Sequence, residues 1–153
     1  MHDKTVIWKP HVTVAAIVES SHCFLMVEEQ VTEGIRFNQP AGHLEENESL
    51  IDAIIRECQE ETAWRFEPEY LLGIYRTKVG PITYLRFAFT GRCLLHNPAA
   101  PLDDGIIAAH WMTLDEIRQK KAELRSPTVL QSIQDYLQGV RYPLSLLSDI
   151  QQE

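Results

Sequence analysis

The sequence predicts an α+β fold built on a mixed β-sheet, with more strands than helices. Short runs rich in β-branched and apolar residues recur along the chain, and turns containing proline or glycine separate them. The longest helical pattern interrupts this strand series instead of alternating with it. A doubly wound fold, in which helices and strands alternate regularly, is therefore less favoured.

The N-terminal half predicts two strands, a loop and a helix. Residues 11–18 (HVTVAAIV) and 23–27 (CFLMV) are expected to form antiparallel strands joined by a polar turn. After a turn at residues 33–34, the short IRF run leads into NQPAG, whose proline and glycine mark a loop. Residues 49–62 lack Gly and Pro and predict a helix. Its apolar side is formed by Leu50, Ile51, Ile54, Ile55 and Cys58.

The C-terminal half predicts a hairpin, a further strand and two helices. Residues 70–79 and 82–95 flank a Gly-Pro turn and are expected to pair. A loop at residues 97–105 (NPAAPLDDG) precedes a strand at residues 106–112. Thr113 and Glu116 form a plausible capping box for the next helix, and the last helix runs from about Pro127 to Leu137. The tail RYPLSLL is expected to be extended and to pack back.

Length, charge and cysteine content limit the class of protein. The 153 residues are 44% hydrophobic, and we expect one domain over residues 1–153. The net charge of −8 disfavours nucleic acid and membranes as partners, because both attract clustered Lys and Arg. Three separated cysteines without a C-x-x-C pair, and the lack of a long apolar run, predict a soluble, unprocessed, cytoplasmic protein. We also expect a monomer.

The segment from Gly42 to Glu61 is strongly acidic and contains one arginine, Arg56. Its acids are Glu45, Glu46, Glu48, Asp52, Glu57, Glu60 and Glu61. In a helix the last three share a face that borders the apolar one, where like charges repel. Such faces are often only solvated surface. Divalent cations would relieve the repulsion, because Mg²⁺ favours clustered carboxylate oxygens and keeps waters that can bridge to phosphates.

The spacing of these residues is more specific than their composition. The pattern G-x5-E-x7-R-E-U-x-E-E-x-G-U, with U a bulky apolar residue, is matched by Gly42, Glu48, Arg56, Glu57, Glu60 and Glu61. The segment therefore resembles the Nudix box. Cys58 is a small occupant of an apolar position, and Ala63 replaces the second glycine. That glycine commonly closes the helix in a left-handed conformation, which costs alanine about 1 kcal/mol, so we expect a different helix end.

The Nudix resemblance implies an α/β/α sandwich whose box holds Mg²⁺ or Mn²⁺ against a diphosphate. It implies metal ligation by Gly42, Glu57, Glu60 and Glu61. Arg56 would orient Glu57, Glu48 would support the loop, and Glu60 would act as a ligand or as the general base. In several relatives the base comes from a loop outside the helix, so Asp103 and Asp104 are alternatives, although each alone is more simply a turn residue.

The implied reaction is metal-dependent hydrolysis of a phosphoanhydride bond in a small organic or nucleoside di- or triphosphate. The stretches FNQPAGHLE, YLRFAF, LRSP and RYPL resemble one bacterial phosphatase branch of the family. That resemblance implies release of orthophosphate from hydroxymethylpyrimidine pyrophosphate, thiamine pyrophosphate or nucleotides. Arg36, Tyr84 and Arg86 are expected to contact the substrate, although each could equally be a surface residue.

Other interpretations stay open at this stage. The protein could be a pyrophosphatase acting on ADP-ribose or another nucleoside diphosphate linked to a second group, or a non-catalytic sensor that binds a nucleotide. A structural protein with a solvated acidic helix is a third possibility. His43 could face the phosphates but is more simply structural. The strand and N-terminal aromatics Trp8, Phe37 and Tyr75 could stack on a base but are more simply core residues.

Overall fold

The computed structural model describes residues 5–152, which form nine strands and three α-helices. In chain order they are β1 His11–Ile17, β2 Glu19–Ser20, β3 Cys23–Val31, β4 Gly34–Asn38, β5 Ala41–His43, α1 Leu50–Thr62, β6 Trp64–Val79, β7 Ile82–His96, β8 Ile106–Thr113, α2 Leu114–Gln119, α3 Thr128–Leu137 and β9 Tyr142–Pro143. Short 3-10 helices follow α2 and β9. The first four residues and the last, which the predicted 1–153 domain includes, lie outside the described part.

The strands form two sheets. The first is mixed, with the order β5-β1-β7-β6-β9, because β1 runs parallel to β7 and antiparallel to β5. The second is antiparallel and is centred on β3, which pairs with β2, β4 and β8. The long β6–β7 hairpin and the strand before α2 are the predicted ones, although β6 begins earlier, at Trp64. The predicted α+β class with a mixed sheet is confirmed.

One predicted strand pairing is wrong over most of its length. The sequence predicts that residues 11–18 and 23–27 form a hairpin, but β1 pairs with β5 and β7 in the mixed sheet. The chain leaves that sheet at Val18, whose carbonyl accepts a hydrogen bond from the Leu25 N–H at 3.0 Å. Only the two-residue β2 pairs with β3. The parallel partner of β1 is distant in sequence, so the local pattern does not reveal it.

Helices cover both faces of the mixed sheet, because alternate residues of β1 point in opposite directions. Val14 and Ala16 pack in a core that includes residues of α1. Ala15 and Ile17 pack on the opposite face, in a core that includes residues of α2 and α3. This arrangement is the expected α/β/α sandwich. No helix among residues 5–152 is long and apolar enough to cross a membrane.

The start of α1 is as the sequence predicts, and its end is not. Ser49 caps the helix by accepting a hydrogen bond from the Asp52 N–H at 3.0 Å. At the other end Ala63 has φ 61° and ψ 15°, and its N–H donates to the Gln59 carbonyl at 2.9 Å. The expectation of a different helix end is therefore wrong. The chain reverses directly into β6, so Ala63 adopts the left-handed conformation and bears its cost.

The C-terminal elements also agree with the sequence. Thr113 accepts a hydrogen bond from the Glu116 N–H at 3.2 Å and so caps α2, and α3 begins directly after Pro127. The tail packs back, because β9 pairs with β6 and Leu144 lies against the core beside α1.

Candidate active site

β5 brings a glycine against the first glutamate of the acidic face. A Cβ on Gly42 would lie 2.1 Å from Glu57 Cδ and 2.2 and 2.4 Å from the two carboxylate oxygens. Real Cβ atoms do not approach other atoms so closely, so any other residue at this position would displace the carboxylate. Glu57 is itself only 8% exposed. The glycine therefore lets a buried carboxylate lie directly over the backbone of β5.

Glu61, one turn further along α1, is held by the same strand. Its Oε1 accepts a hydrogen bond from the Ala41 N–H at 2.8 Å, at the edge of the mixed sheet. The pKa of Glu61 is raised to about 9, mainly by burial and to a lesser extent by the charges of Glu57, Glu29 and Asp103, whereas the Ala41 hydrogen bond acts to lower it. Burial also raises the pKa of Glu57, despite Arg56. Carboxylates that resist ionisation together would be stabilised by a bound cation.

Arg56 holds the other carboxylates of the box. Its Nε and Nη2 donate to Glu48 Oε2 and Oε1 at 3.0 and 2.7 Å. Its Nη1 lies 2.8 Å from Glu57 Oε1, 3.1 Å from Glu60 Oε2 and 3.3 Å from Glu45 Oε1. The hydrogen bonding between Arg56 and Glu48 lowers the pKa of Glu48 and raises the pKa of Arg56. Glu48 also accepts from the Glu45 N–H at 2.8 Å, so the loop before α1 is tied to the helix.

Asp103 joins Glu57 and Glu60 in a group of three carboxylates. One oxygen of each lies within 4.8 Å of the others. The Asp103 N–H donates to the Glu60 carbonyl at 2.9 Å, which holds the loop before β8 against α1. Beside this group is an open cavity of about 470 Å³ lined by Glu60, Pro101, Leu102, Asp103 and Asp104. Hard oxygen ligands that converge from two segments fit a divalent cation such as Mg²⁺.

The predicted metal ligands do not all lie in one group. Glu57, which lies over Gly42, is grouped with Glu60 and Asp103, whereas Glu61 accepts a hydrogen bond from the Ala41 N–H. The group of three found among residues 5–152 does not include Glu61. Asp103, which the sequence favours as an ordinary turn residue, is instead a member of the group.

The residues predicted to contact substrate lie in different settings. Tyr84 makes edge contacts with the rings of His11 and His43, at centroid distances of 5.5 and 6.3 Å. Arg36 is half-buried on β4, and its Nη1 donates to the carbonyl of the preceding residue at 2.8 Å. Arg86 is not a surface residue, because it is only 7% exposed.

His43, next to Gly42, pairs with His11, and only His43 could be singled out from the sequence. His43 Nε2 and His11 Nδ1 lie 2.9 Å apart, and the His43 carbonyl accepts a hydrogen bond from Arg56 Nη2 at 3.1 Å. Burial and the charge of His11 lower the pKa of His43. His43 was identifiable by its place after the loop glycine. His11 was missed because its position depends on the pairing of β1 with β5, which no local pattern shows.

The aromatic residues suggested for base stacking have other surroundings. Phe37 is buried in the core on the α2 and α3 face. The hydroxyl of Tyr75 donates to Asp135 Oδ2 at 2.6 Å, and its ring packs against the same core. Trp8 is 68% exposed. The core interpretation therefore holds for Phe37 and Tyr75, and Trp8 lies at the surface.

Comparisons with known proteins agree with this arrangement. The family model of the NUDIX domain matches residues 9–133. The chain belongs to the Nudix family. The Nudix chain is 40% identical to Phosphatase NudJ of Escherichia coli over 143 residues, which cover 93% of each protein. It also superposes on a NUDIX hydrolase from Nitrosomonas europaea with a TM-score of 0.91 and 48% identity, over 93% of this chain and 98% of that one.

A more distant Nudix structure shares the fold. The NUDIX domain of Shewanella oneidensis NrtR, complexed with ADP ribose, has a TM-score of 0.72 and 18% identity, and the match covers 90% of this chain and 93% of that one. The nearer relatives are a phosphatase and a hydrolase. The protein is therefore a Nudix hydrolase homologous to NudJ, and its box is the acidic segment over β5.

Proposed function

We propose that this Nudix hydrolase releases orthophosphate from small organic or nucleoside di- and triphosphates in a reaction that depends on Mg²⁺ or Mn²⁺. The convergence of Glu57, Glu60 and Asp103 beside Gly42 is the observation that supports this most directly. The similarity to Phosphatase NudJ over nearly the whole chain supports a phosphatase. The proposed substrates are hydroxymethylpyrimidine pyrophosphate, thiamine pyrophosphate and nucleoside di- and triphosphates.

The proposed metal ligands are the carboxylates of Glu57, Glu60 and Asp103, with Glu61 and the Gly42 carbonyl as further ligands. A bound divalent cation supplies neutralising charge to the substrate phosphates and makes water in the site more acidic. Arg56 keeps the Glu57 and Glu60 carboxylates in place, and Glu48 holds Arg56 through two hydrogen bonds. Because these links exist before substrate binds, little reorganisation is needed during the reaction.

The general base is proposed to be one of Glu60, Asp103 and Asp104. All three line the cavity beside α1, where an attacking water can lie near a carboxylate. Asp103→Asn and Asp104→Asn, made separately, distinguish a metal ligand from a general base. Loss of a metal ligand weakens Mn²⁺ binding, whereas loss of the base lowers kcat and changes the pH–rate profile while Mn²⁺ binding is retained.

The proposed substrate contacts are Arg36 and Tyr84. Tyr84 and the paired imidazoles of His11 and His43 form an aromatic group next to the loop glycine, where a substrate ring or a phosphate oxygen can be bound. Arg86, predicted with them, lies two residues from Tyr84 and so on the same face of β7, but it is buried.

Two other functions use the same acidic site. A pyrophosphatase acting on ADP-ribose or a similar compound needs the same metal ligands and a different pocket. The NrtR domain has the same fold and is complexed with ADP ribose, so the pyrophosphatase activity is the second candidate. A non-catalytic sensor is less favoured, since nucleotide binding alone does not need so complete a set of carboxylates.

The test is phosphate release from a panel of hydroxymethylpyrimidine pyrophosphate, thiamine pyrophosphate, ATP, ADP and ADP-ribose. Separate assays detect orthophosphate and pyrophosphate, with Mg²⁺ or Mn²⁺ and then with EDTA. Glu57→Gln and Glu61→Gln remove proposed ligands, and Glu67→Gln is the control because its exposed side chain pairs with Arg92 on β7.

EDTA-sensitive release of orthophosphate, lost in both ligand variants and retained in the control, is the expected result. Turnover of ADP-ribose alone would assign the protein to the pyrophosphatase alternative. Nucleotide binding without any turnover would favour the sensor.

The remaining expectations are proposals of the same kind. We expect one Nudix domain over residues 1–153, a monomer and a cytoplasmic location, the last from the cysteines, which are free in the structure. Light scattering after size-exclusion chromatography measures the oligomeric state, and a dimer mass would contradict the expected monomer.

A further inference from the structure

Arg86 is a buried cation, and the charge of Glu61 acts on it only from beyond ion-pair distance. Among residues 5–152 no carboxylate lies within ion-pair distance of it, although it is only 7% exposed. Its hydrogen bonds go to neutral oxygens, to Gln39 Oε1 at 2.7 Å, Thr128 Oγ1 at 3.1 Å and Asn38 Oδ1 at 3.4 Å. Its Nε is buried and has no hydrogen-bond partner within the described part of the chain. Burying a cation in this way costs stability, so Arg86 is a candidate for a role other than stabilising the fold.

The shortest of these hydrogen bonds goes to Gln39, whose amide nitrogen is also hydrogen-bonded. Gln39 is 1% exposed, and its Nε2 donates to the Val129 carbonyl at 2.9 Å and to Ser132 Oγ at 3.4 Å. Its Oε1 accepts from Arg86. Gln39 therefore connects the loop before β5 to α3 and to β7. Thr128, in the first turn of α3, accepts from the same guanidinium, so Arg86 joins three segments.

This loop leads directly into the acidic site. Pro40 follows Gln39, and its carbonyl accepts a hydrogen bond from the Ala16 N–H at 2.9 Å. The next two residues are Ala41, which donates to Glu61, and Gly42, which lies under Glu57. A shift of this loop by a fraction of an ångström would move both backbone groups against carboxylates that are already in contact with them.

We propose that Arg86 and Gln39 are positioning residues, which hold the β4–β5 connection and the start of β5 so that Gly42 and Ala41 present Glu57 and Glu61 to the metal ion. The proposal rests on the proposed function of this site. Direct contact between Arg86 and substrate is the competing role. Both Nη atoms are engaged by neutral oxygens and the side chain is buried, so such contact would require Arg86 to leave Gln39.

The experiment compares Arg86→Met, Gln39→Met, the double variant and Arg86→Lys with the unmodified protein. Methionine keeps much of the apolar volume and removes the hydrogen bonds, whereas lysine keeps the charge but not the planar set of donors. Arg76→Met is the matched control, because Arg76 is exposed on β6, the strand next to β7. The measurements are Mn²⁺ affinity by electron paramagnetic resonance of the free ion, kcat and KM, and Tm.

The expected result for Arg86→Met is Mn²⁺ binding weakened about tenfold or more, and kcat lowered by a similar factor, as for residues that orient metal ligands. KM changes less than about threefold, and Tm is unchanged or higher, because a buried cation is removed. Gln39→Met weakens Mn²⁺ binding in the same direction. The double variant resembles the worse single one, since both act through one link. Arg86→Lys does not recover Mn²⁺ affinity, and the control matches the unmodified protein.

Three results would overturn the proposal. One is a large rise in KM with kcat and Mn²⁺ affinity unchanged, which would show that Arg86 contacts substrate. Another is recovery by Arg86→Lys, which would show that charge alone matters. The third is a fall in Tm with unchanged Mn²⁺ affinity of the folded protein, which would show a purely structural role. If the unmodified protein turns over nothing in the panel, the proposed function fails, whereas Mn²⁺ affinity still tests the positioning role.

Discussion

The two faces of α1 differ in what they do for the molecule. Along one face Ile54 and Cys58 are fully buried in an apolar core. Along the adjoining face Glu57 and Glu61 lie against β5, where burial raises the pKa of both carboxyls. The apolar face stabilises the fold by removing surface from water, and the acidic face costs stability because carboxyl groups are buried there and lie close to like charges. The helix is therefore held by one face, which allows the other to keep carboxylates close together.

The largest effect should come from the apolar face. Ile54→Ala removes a side chain with 0% exposure and is expected to lower the free energy of unfolding by about 2 to 5 kcal/mol. Activity per folded molecule should change little, because the acidic face is untouched. Urea unfolding measures the first quantity. Ile51→Ala, at a half-buried position on the same helix, is the control, and an equal loss there would contradict the comparison.

A substitution in β5 should reduce activity more than stability, the opposite of the result expected for Ile54→Ala. Gly42→Ala places a methyl group in the space of the Glu57 carboxylate, and we expect kcat/KM to fall by at least about 100-fold. The accompanying loss of stability should be smaller, about 1 to 3 kcal/mol. Gly73→Ala is the control, because the atoms nearest to its Cβ would be those of the Tyr75 side chain, at 3.1 Å. Full activity in Gly42→Ala would show that Glu57 does not need its position over the strand.

The burial of Glu61 among other carboxylates should appear as a pH dependence of stability without metal. Folded Glu61 keeps its proton up to a pKa of about 9, whereas the unfolded chain loses it near the ordinary value of 4.5. Between these values the folded state binds more protons, so stability falls as pH rises, by up to about 1.4 kcal/mol per pH unit. Chemical unfolding in EDTA at several pH values measures this slope. Glu61→Gln should flatten it and Glu67→Gln should not, and a slope of the opposite sign would contradict the assignment.

The smallest effect concerns the junction at which α1 ends. Ala63→Gly removes the left-handed strain at φ 61° and should raise stability by about 0.5 to 1 kcal/mol, less whatever the lost methyl group contributes. Ala53→Gly inside the same helix should instead lower stability, because glycine is unfavourable there. Calorimetry of the two variants gives the comparison. A lower Tm for Ala63→Gly would mean that packing of the buried methyl outweighs the backbone strain.

The limits of local sequence information are clearest at Asp103, His11 and Arg86. Asp103 donates its N–H to Glu60, His11 pairs with His43 at a separation of 32 residues, and Arg86 bonds to Gln39 at a separation of 47 residues. Each contact depends on strand order and register. The wrong hairpin prediction for β1 has the same origin, because its long partner is the parallel strand β7.

Local sequence was sufficient for α1, its Ser49 cap and the spacing of the acids, because helical periodicity and capping act over a few residues. It was also sufficient for the family, since the box residues occupy one continuous segment. The left-handed end at Ala63, the union of Asp103 with Glu57 and Glu60, and the burial of Arg86 were decided only by the tertiary structure. The physical reason is that packing between distant segments determines which polar groups meet and how far water is excluded from them.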